Sequence, residues 1–167
     1  RTLHCFGRYN LAWPNHIGYS IRKLLSIWRN HVTWPNNISN SKEAFTASIA
    51  TTLLGPTIME FGTREQKQRF LPPMARGEVV WAQAWSEPGA GSDMAAISSK
   101  AVRDGNHYII NGQKTWSSRG AFADWGFGIF RTDPESTRHK GLTFILFDLD
   151  TPGITRRPIR QLHGETG

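Results

Sequence analysis

One cysteine, Cys5, is all the thiol this 167-residue chain carries. A lone thiol closes no internal disulfide, which fits a reducing compartment or a thiol-free design. The sequon Asn37-Ile38-Ser39 is read as accidental for the same reason. Long apolar runs are also missing. Nothing approaches the roughly 20 residues that a membrane helix needs, so no membrane span is expected. The histidines (His4, His16, His31, His107, His139 and His163) are scattered without metal-site spacing, and no metal is expected. Acid is missing from one place. Residues 1–42 hold Arg1, Arg8, Arg22, Lys23, Arg29 and Lys42, and the first acid is Glu43. The rest holds 14 basic and 13 acidic residues, so the net +7 belongs almost wholly to the first quarter. Those bases lie apart, among Trp, Asn and Pro, and join no recognition motif, so no nucleic-acid partner is expected. The chain opens on Arg1 rather than Met, as a processed chain or a fragment does.

What is present suits a globular protein: 38% apolar residues, with seven Trp and nine Phe. "SIRKLLSIW" (20–28) spaces Ile21, Leu24, Leu25 and Trp28 as a short amphipathic helix, and "TWPNNISNS" (33–41) reads as turn. From Ser41, a candidate cap, to Gly62 the pattern is helical, with Gly55-Pro56 as an interruption and Pro56 able to open a new helix. Thr63 and Gln66 have capping-box spacing, and Pro72-Pro73 predicts a break before a last turn ending at Gly77. From Val79 the pattern turns to strands: "EVVWAQAW", then two runs around Asp104-Gly105, the strongest short-range hairpin signal. Asn111-Gly112 repeats that chemistry, and "ADWGFGIFRTD", "KGLTFILFDLD" and "TPGITRRPI" read as further strands. Helices first and antiparallel strands second predict an α+β fold with a boundary near 77–79.

The densest motif is "WSEPGAGSDM" (85–94). It is not a dinucleotide loop, because Met94 stands where the third glycine belongs. "GQKT" is no Walker loop, Ser92 lies in no GxSxG elbow, and the SxxK matches at Ser20 and Ser39 stand alone. On the residues alone two readings stand. Gly89 and Gly91 can let backbone N–H groups reach an anion, with Ser86 and Ser92 beside them and Trp81, Trp85 and Trp116 offering flat faces to a planar cofactor. Or this is a glycine-rich turn, with the tryptophans in the core.

Longer stretches carry a resemblance. "WAQAWSEPGAGSDM" followed by "NGQKTWSS" and "ADW" is similar to the signature region of the acyl-CoA dehydrogenase family, with its [TS]EPGAGSD loop and NGxKxW strand. "GPTIMEFGTREQKQRFLP" resembles the helix pair upstream in that family, and "KGLTFILFDLDTPGITRRPIRQLHGE" its later strands. "AWPNHIG" resembles its WPxxxG turn. The likeness runs from about 53 to 167 and lapses over 19–45, where bases and asparagines stand in place of an acid-rich helix, the composition a frameshift scar would leave.

The resemblance implies an N-terminal α-helical segment, an antiparallel β-barrel-like middle domain and no C-terminal helical bundle. It divides the chain into a poorly matched basic segment 1–40, a partial helical domain 41–78, and a middle β domain 79–167 lacking its final strand. It implies FAD as cofactor and α-proton abstraction from an acyl-CoA with β-hydride transfer to the flavin. Gln83, Trp85, Ser86, Gly91 and Ser92 match the first flavin-binding stretch, with Ser86 bonding the ring system and Ser92 also near the acyl-CoA. Trp116, Ser117 and Ser118 match the second, with Trp116 stacking beside the ring and Ser118 reaching N5. The catalytic carboxylate is expected outside this chain, and Glu87 is not assigned that role. Expected partners are an acyl-CoA, an electron-transfer flavoprotein or other acceptor, and further copies in a homo-oligomer of the full-length protein. The expected location is the cytoplasm, or the mitochondrial matrix in a eukaryote. An acyl-CoA oxidase or flavin monooxygenase relative, and a truncated assembly partner without activity, are the alternatives.

Overall fold

The computed structural model describes residues 49–160, together with the backbone of two short strands, Thr2–Cys5 (β1) and Asn10–Leu11 (β2). The expected helix at 20–28, the turn at 33–41, the Ser41 cap and the lapse over 19–45 lie outside the described residues. The chain forms two compact units, residues 13–80 and residues 1–12 with 81–167.

The helical unit begins with a π turn, Ala50–Leu54, which runs without a break into Gly55–Phe61 (α1). Gly55-Pro56 therefore does not interrupt the helix as the sequence suggests. Pro56 has no N–H, and its ring would press on the carbonyl four residues earlier. The widened turn, closed by Gly55 N–H to the Ala50 carbonyl, relieves that pressure. Thr63 then caps Arg64–Ala75 (α2) with the reciprocal box that its spacing predicts. The Gln66 N–H donates to Thr63 Oγ1 at 3.3 Å, and the Thr63 N–H to Gln66 Oε1 at 2.8 Å. Pro72 and Pro73 lie inside α2 rather than breaking it. They fall in its last turn, where they forgo only their own two N–H bonds and few residues follow to be displaced. Gly77, at φ +69, closes the helix: its N–H reaches the Met74 carbonyl, and Glu78 N–H the Pro73 carbonyl. A left-handed residue is what that closure requires.

The other unit is a seven-stranded sheet built from β1, β2, Trp81–Ala84 (β3), Lys100–Asp104 (β4), His107–Asn111 (β5), Trp125–Arg131 (β6) and Leu142–Asp148 (β7). The order is β1-β5-β4-β6-β7-β2, with β3 also on β6. The α+β class is as expected. The sheet is not an antiparallel barrel: it is mixed and does not close. β4 and β5 form the predicted hairpin, Asp104 opposite His107, with Gly105 at φ +57 in its loop. β3, however, runs parallel to β6, Ala84 opposite Gly128. The intervening chain, hairpin included, is the long crossover a parallel pair needs. Two expected strand features also differ. Asn111-Gly112 makes no second hairpin. A Cβ at Gly112 would stand 2.7 Å from Ser99 Cα, so the position demands space rather than a turn. Residues 151–159 form no strand. Gly153 turns the chain at φ +96, Pro158 can donate no ladder bond, and Arg156 ties the segment to the Ala123 carbonyl (2.9 Å) and Asp150 (2.7 Å).

Alternation along β6 sets the two faces. Gly126, Gly128 and Phe130 share one face with Ala82, Ala84 and Phe147, and the absent side chains make room for the rings. A Cβ at Gly126 would stand 2.5 Å from the Phe147 ring. The other face packs Trp81 on Trp125 and Phe127 on Phe144, each pair 5.8 Å between centroids.

Candidate functional site

β3 and β4 use the same edge of β6 one after the other. β3 ends opposite Gly128, and β4 starts opposite Arg131. The loop 85–99 is thus an excursion between two strands sharing one edge, and it leaves Ile129 and Phe130 with no strand opposite on that side. A sheet gap exposes backbone groups that must find other partners.

Lys114 fills it. Its Nζ donates to the Ile129 carbonyl (2.7 Å), the Trp85 carbonyl (3.2 Å) and Glu87 Oε1 (2.9 Å). Three acceptors use all three ammonium hydrogens. The Phe130 ring lies 4.8 Å below the charge. Glu87 is itself buried. Its Oε2 accepts from the Ser98 N–H and hydroxyl, each at 2.8 Å, and its Oε1 from the Ser99 N–H at 3.0 Å. Burial pushes the carboxyl pKa up, but the bonds from Lys114, Ser99 and Ser98 outweigh it and hold the pKa at about 2. Burial also lowers the Lys114 pKa, against the pull of Glu87. Arg131 anchors the far half of the loop, donating to the Ala95 carbonyl (2.9 Å) and the Ile97 carbonyl (3.2 Å). The sequence reading missed both cations. Lys114 stood in plain sight inside "NGQKTW", while nothing local marks Arg131.

The loop's tip is a tight turn, with Glu87 N–H to the Ala90 carbonyl at 2.7 Å and the return bond at 3.1 Å. Gly89 and Gly91 have no left-handed φ, and an added Cβ at either would meet nothing within 4 Å. Among the described residues, neither conformation nor packing calls for glycine at these positions. Ser92 is exposed beside them, and Asp93 accepts from the Ala95 N–H at 3.1 Å.

The two stretches singled out in the sequence meet through the backbone. The Thr115 N–H donates to the Ser86 carbonyl at 2.9 Å. Trp116 follows at φ +58, a left-handed conformation rare for a bulky residue, with its side chain 72% exposed. Ser117 is half-buried and Ser118 exposed. Gln83, Trp85 and Ser86 are half-buried, and Trp85 Nε1 is a buried donor without a partner among the described residues.

A cleft of about 770 Å3 lies between the Ala82, Ala84, Phe130 and Phe147 face and the segment Gly153–Ile159. Trp116 and Ser117 border it. Gln83 and Trp85 belong by alternation to the opposite face of β3, and Gly91, Ser92 and Ser118 do not line the cleft. Of the candidate residues, the cleft therefore gathers only Trp116 and Ser117, and the two stretches are joined by the Thr115–Ser86 backbone bond. No carboxylate among the described residues lines the cleft. Among the described residues no cluster of metal-ligating side chains occurs, and no helix is long and apolar enough to cross a membrane.

The family described as "Acyl-CoA dehydrogenase, middle domain" matches residues 82–167, and "Acyl-CoA dehydrogenase, N-terminal domain" matches 36–78. Acyl-CoA dehydrogenase FadE34 of Mycobacterium tuberculosis is 50% identical over 111 residues, which are 66% of this chain and 16% of that protein. Among solved structures, the Tcur3481-Tcur3483 steroid ACAD is 38% identical with a TM-score of 0.70, over 72% of this chain and 31% of its own. The ChsE4-ChsE5 complex of Mycobacterium tuberculosis is 32% identical with a TM-score of 0.66, over 94% and 39%. The chain thus spans well under half the length of these relatives.

Proposed function

This chain belongs to the acyl-CoA dehydrogenase family, and on that premise we propose that it supplies the flavin-facing surface of an FAD-dependent enzyme that converts an acyl-CoA thioester to the 2,3-enoyl-CoA. The observation that carries this reading is the pair Gly89 and Gly91. Both are open to solvent and required by nothing among the described residues, as expected where a ligand comes up against the backbone. Trp116 supports it: a strained, exposed indole offers a flat face that the chain itself does not use.

FAD, when bound, supplies the acceptor for the hydride leaving the acyl β-carbon. In this reading Ser86 and Ser118 offer hydroxyls to the ring system, with Gln83, Trp85 and Ser117 around them. Gly91 and Ser92 face the pyrophosphate, and Ser92 also the acyl-CoA. The backbone bond from Thr115 to Ser86 sets the spacing of the two stretches before any ligand arrives, which is preorganisation. Glu87 is not the proton-abstracting base. Its carboxylate is buried, fully bonded and ionised down to about pH 2, whereas a base needs reach and a pKa near the working pH. We place the base outside this chain. The same reading treats 41–78 as helical domain and 79–167 as middle domain, to which β1 and β2 add. It makes an electron-transfer flavoprotein or another acceptor the electron partner, and assembly with further copies the working state of the full-length protein.

FAD titrated into the purified protein, followed by quenching of flavin fluorescence, tests it. Weak, saturable quenching is expected, and a Gly91→Val variant of unchanged melting temperature should lose it. Absence of quenching by the parent protein, or equal quenching by both, refutes the reading. Dye reduction by the chain with an acyl-CoA would place the base within it, against the proposal. A steroid acyl-CoA belongs in that substrate panel, because one structural relative is a steroid ACAD.

A further inference from the structure

The Lys114 junction goes further than holding a buried charge. We propose that Lys114, kept in place by Glu87, is the positioning residue that sets the register between the two cofactor-facing stretches; the inference rests on the function proposed above. Three features carry it. First, the ammonium stands where the sheet has no strand. Its bond to the Ile129 carbonyl occupies the gap that β3 and β4 leave on the β6 edge. Second, its other two bonds go to the stretch before and within the motif loop, to the Trp85 carbonyl and to Glu87. Third, the next residue along the chain, Thr115, makes the backbone bond to Ser86, and the one after that is Trp116.

One side chain therefore ties β6, the loop and the second stretch at a single atom. Ser86 and Trp116 lie on two chain segments joined there and at the adjacent Thr115 bond. Glu87 extends the tie to Ser98 and Ser99, where the loop re-enters the sheet. A merely packed lysine would have no reason to bond backbone carbonyls on two separate segments, β6 and the loop, and a buried carboxylate as well.

The test uses Lys114→Met, which keeps length and loses the charge, and Lys114→Arg, which keeps the charge but cannot direct a planar guanidinium at three diverging acceptors. Hydrogen exchange reads the junction without any cofactor. The Thr115 and Ser99 amides should lose protection by about tenfold to a hundredfold in both variants, while the Phe127–Leu146 ladder keeps its own. FAD affinity should fall by about tenfold or more in Lys114→Arg, and the visible circular dichroism of bound flavin should change. Should Lys114→Met not fold, Lys114→Arg decides alone. Unchanged Thr115 protection with unchanged FAD affinity in a folded Lys114→Arg overturns the inference. Absence of FAD binding by the parent protein refutes the proposed function instead, and the exchange data still decide whether Lys114 sets the register.

Discussion

The Lys114 ammonium lies 2.9 Å from the Glu87 carboxylate, with the two side chains 8% and 3% exposed. Two charges so far from water are costly unless every bond is made. Here the ammonium makes three and the carboxylate accepts from the adjacent Ser98 and Ser99 as well. That satisfaction orders the loop.

Acid should weaken this pair. The Glu87 pKa in the folded chain is about 2, below its ordinary 4.5, so its contribution is complete above pH 4.5 and lost as pH falls from there toward 2. The contribution is roughly 3 kcal/mol at neutral pH. Urea unfolding across that window should show the loss in the parent chain, and Glu87→Gln should remove this part of the slope. A parallel fall in both proteins would contradict it.

The glycines should separate into two kinds. Gly112→Ala puts a Cβ 2.7 Å from Ser99 Cα and should cost about 1–3 kcal/mol by overpacking. Gly89→Ala and Gly91→Ala meet no atoms and should stabilise the chain by about 0.4–1 kcal/mol through the unfolded state, while weakening FAD binding. Thermal melts paired with FAD titration give both numbers.

Trp116 should show the same opposition. Its left-handed backbone suits asparagine better than an indole, and its exposed side chain buries little. Trp116→Asn is expected to raise stability by about 1 kcal/mol and to lower FAD affinity. A destabilised variant would mean that the ring packs within the chain after all.

In the helical unit, Thr63→Ala removes an oxygen that caps α2. The expected cost is about 1 kcal/mol, read from denaturant unfolding, and Thr63→Ser should restore most of it.

Much of this protein was legible because its physics is local. The Thr63–Gln66 box, the Gly77 closure and the Asp104-Gly105 hairpin each lie within a few residues, so spacing alone determined them. The motif loop and the "NGQKTW" stretch stood out only through a family resemblance, since their own letters left a cofactor loop and a plain turn both open. The tertiary structure decided what joins distant residues. Glu87 meets Lys114 27 positions later and Ser99 12 positions later. Arg131 reaches back 36 to Ala95. β3 lies parallel to β6 only because the intervening chain, β4 and β5 included, spans the crossover. No local period encodes such pairings. They follow from which strand edge is left open and which buried charge can close it, and that is settled only when the whole sheet has formed.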